Sequence, residues 1–229
     1  PAHGYNINKV LNSTSTVLSF NMDTNNSVFS DNLALRQAML HALNRKAILA
    51  VGLAGNGEIM NDLAGKLSND YDPEWENQPY YDYDLEKAKS LLNEAGYKDG
   101  IDPKTGKALH LILLVDQQYK DAVIVMQAQW AALGLDIEIN ALDNSLMATY
   151  QYDPTRWDLY VFIQGTECYM TSVYDGIFQA DSEGRAPKSF VRDKELQRLI
   201  QEAHNVNTHN AESVEALHTY VKDNAYAFG

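Results

Sequence analysis

The succession of apolar runs between residues 109 and 163 constrains this chain more than any other feature. "LHLILLV" (109–115) is an unbroken apolar run of strand length, the pattern of a strand covered on both faces. Val123, Met126, Trp130 and Leu133 then recur at helical spacing over about 120–133, and Gly134 ends that helix. "LDIEINAL" (135–142) alternates acidic and apolar positions as a strand does, a short helix occupies 144–151, and "WDLYVFI" (157–163) is a third strand. Strand–helix–strand–helix–strand specifies an α/β layer, with right-handed crossovers wherever the strands run parallel.

The flanking segments add to this layer. "STVLSFNM" (15–22) reads as a strand, and the polar turn "DTNNSVFSD" offers Ser30 or Asp31 as the cap of a helix over 32–51. That helix carries Leu35, Ala38, Met39, Ala42, Leu43 and Ile48, and Gly52, Gly55 and Gly57 break it into a loop. Residues 61–83, with Pro73, Pro79 and a cluster of Tyr and Trp, read as irregular. "YDYDLEKAKSLLNEAGY" (81–97) is a helix with both its signals in place. Asp84 caps its first turn, Leu85, Ala88, Leu91, Leu92 and Ala95 form one apolar stripe, and Gly96 takes the left-handed end. The last helical region covers 193–205 and 211–224, interrupted by "NVNTHN".

Composition narrows the class of function. The 229 residues, 45% hydrophobic, suffice for one large or two modest domains. A formal charge of -13 and a pI near 4.7 repel phosphate backbones, so nucleic acid is not expected as a partner. No apolar run approaches the roughly 20 residues that cross a bilayer, and "PAHGYNINKV" has neither the basic start nor the apolar middle of a signal segment. Cys168 is the single cysteine, which rules out an internal disulfide, and without a His in a local signature it reads as a packed thiol. His204 and His209 lack a third ligand, "DGIDPKTG" lacks the closing Glu of a calcium loop, and the glycine loop lacks the Lys-Ser/Thr of a phosphate loop. No catalytic constellation, cofactor or metal is therefore expected, and the chain reads as no enzyme.

Five motifs in order carry a resemblance. They are "LSFNM" (18–22), "DNLALRQAMLHALNRKAIL" (31–49), "YDYDLEKAKSLLNEAGY" (81–97), "MQAQWAALGLDIEI" (126–139) and "RWDLYVF" (156–162). Together they resemble the C-terminal lobe of the family 5 extracellular solute-binding proteins, the dipeptide-, oligopeptide- and nickel-binding receptors of bacterial ABC importers. The resemblance implies an α/β fold of the periplasmic-binding-protein-like type II class, a mixed sheet flanked by helices. It implies that residues 1–229 are one lobe of a two-lobed protein, with 1–15 and 225–229 as hinge or inter-lobe segments. It further implies a location outside the cytoplasm, in the periplasm or lipid-anchored at the cell surface. The expected partners are a small peptide or peptide-like ligand, closed upon by both lobes, and the ABC permease subunits.

In the peptide-binding members the loop after the strand like "WDLYVF" carries an Asp that pairs with the peptide's α-amino group. Here the loop reads "IQGTECYMTSVYDGIF", and Glu167 stands nearest that place, able to hold an amine by a charge-assisted hydrogen bond. Tyr169, Met170 and Tyr174 give the loop the aromatic and soft character of a pocket wall. The glycine loop 52–62, with Glu58, is a second expected wall, and Asn21 at the end of the first strand a third. Two other readings are a ligand-sensing domain of a cytoplasmic transcriptional regulator and a receptor for nickel or a metal chelate.

Overall fold

In a computed structural model, described over residues 14–78, 81–165, 168–180 and 188–229, a single mixed sheet organises the chain. Its strands are β1 (Thr14–Phe20), β2 (His110–Asp116), β3 (Asp136–Leu142), β4 (Leu159–Gly165) and β5 (Ala227–Phe228), in the spatial order β3-β2-β4-β1-β5. β2 runs parallel to both β3 and β4, while β1 lies antiparallel to β4 and to β5. The helices in chain order are α1 (Leu33–His41), a single turn α2 (Arg45–Ala47), α3 (Leu85–Glu94), α4 (Lys120–Ala131), α5 (Asn144–Tyr150), α6 (Met170–Phe178), α7 (Lys194–His204) and α8 (Ala211–Asp223).

The central strands are apolar throughout because both of their faces are covered. Leu111, Leu113, Leu114 and Val115 of β2 and Leu159 to Phe162 of β4 are all buried. The Trp130 indole N–H donates to the Met39 carbonyl at 2.9 Å, tying α4 to α1, and α1 packs on α3. α5 packs on β2, and α6, α7 and α8 pack in succession. The helix read over 81–97 forms with its caps in place. Asp84 accepts from the Lys87 N–H at 2.9 Å, Gly96 has φ of +93°, and the Tyr97 N–H returns to the Leu92 carbonyl at 3.0 Å.

Three expectations are corrected. The first helix is capped by Asn32, whose side chain accepts from Leu35 N, and not by Ser30 or Asp31. That helix also stops at His41 instead of running to 51. The Leu43 N–H takes the Leu40 carbonyl, and the Asn44 N–H is taken by the Gln129 side chain of α4 at 2.9 Å, so the α-helical ladder is broken from outside. Asn44 then caps α2, and Ile48–Gly52 closes as a π-helical turn. Finally, the stretch read as a loop after "WDLYVF" contains α6, a helix of nine residues. Most of the expected hinge segment 1–15 lies outside the described residues. The far segment 225–229 contributes β5, paired with Leu18 and Ser19 of β1.

β2 and β4 are neighbours, yet the chain leaving β2 passes through α4 to β3 on one side, whereas the chain leaving β4 passes through α6, α7 and α8 to β5 on the other side, beyond β1. Connections that diverge from adjacent parallel strands open a crevice outside their carboxyl ends, the usual place for a ligand in an open α/β sheet. The fold thus sets apart one edge of the sheet.

Candidate functional site

That edge is formed by the carboxyl ends of β2 and β4 and, because β1 is antiparallel, by the start of β1: Thr14 faces Gly165 and Ser15 faces Gln164. The glycine loop runs along it. Gly52 lies against the backbone of Ala122 in the first turn of α4, where a Cβ would stand 2.5 Å from the Ala122 Cα. Further along, the Ser15 hydroxyl donates to the Leu63 carbonyl at 2.8 Å, and the Asn69 N–H donates to the Cys168 carbonyl at 2.8 Å. The segment 52–70 therefore spans from the β2–α4 corner to the β4–α6 corner.

Asp70 completes the junction. Its carboxylate accepts from the backbone N–H groups of Met170 and Thr171, occupying the free donors at the start of α6. The residue at the cap position itself, Tyr169, makes no side-chain cap. Behind the edge, the Trp75 indole donates to Glu215 at 2.6 Å and its ring stacks on His218 at 4.1 Å. His218 Nδ1 shares a 3.0 Å hydrogen bond with the Tyr174 hydroxyl. Burial pushes His218 down to about 4, so its ring is neutral at pH 7. Asp62 is also enclosed. One carboxylate oxygen accepts from the Gly65 N–H at 2.8 Å, the other has no partner among the described residues, and burial pushes the group up to about 6.

The residues singled out in the sequence divide sharply. Tyr169 is 45% exposed on the edge, its ring edge-on to His209 at 5.5 Å. Glu58 is exposed in the glycine loop and ion-paired with Lys66. Glu167 lies outside the described residues. Met170 and Tyr174 are fully buried, on the inner face of α6 with Val173, Ile177 and Phe178, so they support the edge from beneath and offer a ligand no surface. Asn21 lies furthest from this edge. It is fully buried at the opposite end of β1, next to Asp158, about 20 Å along the strand from Gly165 by strand geometry. Its amide donates to the Pro154 and Trp157 carbonyls at 2.8 and 2.7 Å, and its oxygen accepts from Asp23 N, which is a structural role.

Sequence reading missed Asp70, which belongs to no local motif, and Lys188. The Lys188 ammonium donates to the Gln164 Oε1 at 2.6 Å and sits 5.1 Å from the Phe162 ring centroid, partly buried and with its affinity for a proton lowered by desolvation. Exposed apolar side chains of the spanning segment and its approach are Val51, Ile59 and Leu67. Two surface pockets, one by Asn93, Asp99 and Leu133 and one by Val28, Lys107 and His110, both lie toward the opposite edge. Among the described residues no group of His, Cys, Asp and Glu is disposed to hold a metal ion.

Against known proteins, the model of bacterial extracellular solute-binding proteins, family 5 (middle region) matches residues 2–183. The chain belongs to this family. Among curated relatives of family 5, the oligopeptide-binding protein AppA of Bacillus subtilis is 28% identical over 214 residues, covering 89% of this chain and 39% of AppA. The chain thus spans well under half the length of that relative. The solved structure of B. subtilis AppA with a nonapeptide superposes with a TM-score of 0.78 at 22% identity, covering 95% of this chain and 44% of AppA. A periplasmic oligopeptide-binding protein of an oligopeptide ABC transporter from Thermotoga maritima, bound to mannohexaose, gives 0.77 at 21% identity over 95% of this chain and 44% of that one. The fold is accordingly the type II periplasmic-binding-protein α/β class, and these family 5 relatives are binding proteins, not enzymes. The family is described as extracellular, and among the described residues no helix is long and apolar enough to cross a membrane.

Proposed function

We propose that this chain is the C-terminal lobe of the substrate-binding component of a bacterial ABC importer, working outside the cytoplasm, and that the edge at the carboxyl ends of β2 and β4 is its wall of an inter-lobe cleft. The ligand is a peptide or peptide-like molecule, and the closed form is delivered to the permease subunits in the membrane. The observation that carries this is the switch point between β2 and β4, onto which the segment 52–70, Tyr169 and the start of α6 all converge. The likeness to AppA supports the choice of ligand class.

No chemistry is required of such a lobe. Its contribution is a contact surface that ligand completes only when the opposing wall is closed, so ligand shifts the open–closed equilibrium. Tyr169 suits the task, since an exposed aromatic ring covers apolar ligand groups while its hydroxyl stays available for a hydrogen bond. Glu167 is the acid we assign to a ligand amine, with Glu58 flanking from the glycine loop. Met170, Tyr174 and Asn21 are assigned to supporting the fold.

The test is native mass spectrometry of the full-length protein purified without denaturation, followed by release and identification of the bound small molecule. A released peptide, with weaker binding in Tyr169→Ala and Glu167→Gln, is expected. A protein that arrives empty and binds no member of a peptide library would remove the reading.

A further inference from the structure

We propose that Lys188 is a specificity-determining residue of this edge, selecting peptide-like ligands that bring a carboxylate to the end of β4. The inference rests on the edge being a ligand wall. Its backbone is held in place from β1: the Ser19 hydroxyl donates to the Lys188 carbonyl at 2.7 Å, and Met22 N donates to the next carbonyl, Ser189, at 2.7 Å. From there the side chain runs along β4 past Phe162 to Gln164, the penultimate residue of the strand and one before Gly165 at the crevice.

The partners of this ammonium set it apart from the other cations that the structure ties down. Lys66 is paired with Glu58, Lys89 with Glu86, and Arg198 with Glu195 and Glu202. Arg36 and Arg45 are spent on backbone carbonyls inside the fold. Lys188 has no carboxylate partner among the described residues, in a chain whose net charge is -13. A neutral amide oxygen and an aromatic face are what it has, and they engage one of its three N–H groups and the cation's field. A partly desolvated ammonium held beside a neutral acceptor is stabilised strongly by an arriving anion, and a carboxylate accepts the donors left over.

The neighbouring helix end does not compete for the same anion. The first-turn N–H groups of α6 already hold the Asp70 carboxylate, so an anion at this edge finds its cation at Lys188 and not at the helix. A lysine that merely shielded Phe162 with its stem would carry its ammonium on into water. Here Gln164 holds the ammonium back at the strand end.

The experiment is calorimetric titration of the full-length protein with matched peptides differing in one group: a free carboxyl terminus against its amide, and Glu against Gln at each position. One carboxylate-bearing peptide is expected to bind about tenfold or more tightly than its neutral match, the worth of a charged hydrogen bond. Lys188→Met, which keeps the stem over Phe162, should abolish that preference, while Lys104→Met in the remote turn should leave it in place. A preference that survives Lys188→Met, or no preference in the parent, overturns the proposal. If no peptide binds, the ligand-wall reading fails, and Lys188 is then judged by acetate titration of the parent protein with ¹⁵N-labelled lysine side chains. A saturable shift at Lys188 that is absent at Lys104 supports an anion site, and no shift overturns it.

Discussion

The two edges of the sheet use polar side chains in opposite ways. At the end of β1, Asn21 satisfies three backbone groups, Asp23 accepts from the backbone of Asn25 and Asn26, and the Asp158 carboxylate accepts from Ile112 N at 2.7 Å. Each of these groups is spent on holding backbone. At the other edge Tyr169 stands half out of the protein and, among the described residues, Lys188 has donors to spare and the Asp62 carboxylate keeps one oxygen without a donor. Groups spent on backbone hold the first edge together, and groups with capacity left over give the second edge interactions still to be completed.

The largest effect expected from breaking the closed edge is in Asn21→Ala. It strands two buried carbonyls and one N–H, and should cost about 3 kcal/mol in urea unfolding. Ligand affinity per folded molecule should not change. A large loss of affinity with stability intact would return Asn21 to the binding surface.

Next comes the pH response of the open edge. Asp62 is raised from 3.8 to about 6, so the stability it contributes while protonated is fully present below its ordinary value and lost as pH rises through about 6. His218 is lowered from 6.5 to about 4, so the stability it contributes while neutral is present above 6.5 and lost as pH falls toward about 4. The two slopes oppose each other over nearly the same window, each worth up to about 3 kcal/mol. Between pH 4 and 6 they should largely cancel. Asp62→Asn removes one side of the balance, and its stability should then rise with pH across that window. An unchanged profile, followed by denaturant unfolding at several pH values, would show that Asp62 is not held protonated.

Asp70→Ala uncaps α6 and should cost about 1 kcal/mol, with faster amide exchange at Met170 and Thr171. Asp70→Asn should recover most of both, because it keeps an acceptor. The smallest effect is expected for Lys66→Ala, whose partner Glu58 is as exposed as itself, with no resolvable shift in the urea midpoint.

Much of the fold was legible because local signals and tertiary packing agree. The strands β1 to β4 carry the apolar content their burial requires, and α3 brings its own Asp84 cap and Gly96 terminator. Where the deciding partner is distant in sequence, reading fails. The end of α1 is imposed by Gln129 of α4, and the start of α6 is capped by Asp70, a hundred residues earlier. A signal for α6 was nevertheless present: Met170, Val173, Tyr174, Ile177 and Phe178 follow the three- and four-residue steps of a helix face. Aromatic content in the loop drew attention to residues that serve as core. Tyr169, one position before the helix, is the ring left outside. Lys188 had no signal at all, because its meaning depends on which side chains the described residues bring to it in space.

The sheet order has a consequence for how the chain assembles as it is made. β2, α4 and β3 are close in sequence and can pair early, but β1 is emitted first and its partner β4 begins more than 130 residues later. Until then β1 lacks both of its neighbours among the described strands, since β5 follows later still. Loop-closure entropy makes such long-range pairing slow relative to local contacts. Until β4 is made, Val17, Leu18 and Phe20 of β1 lack the cover that buries them in the finished sheet.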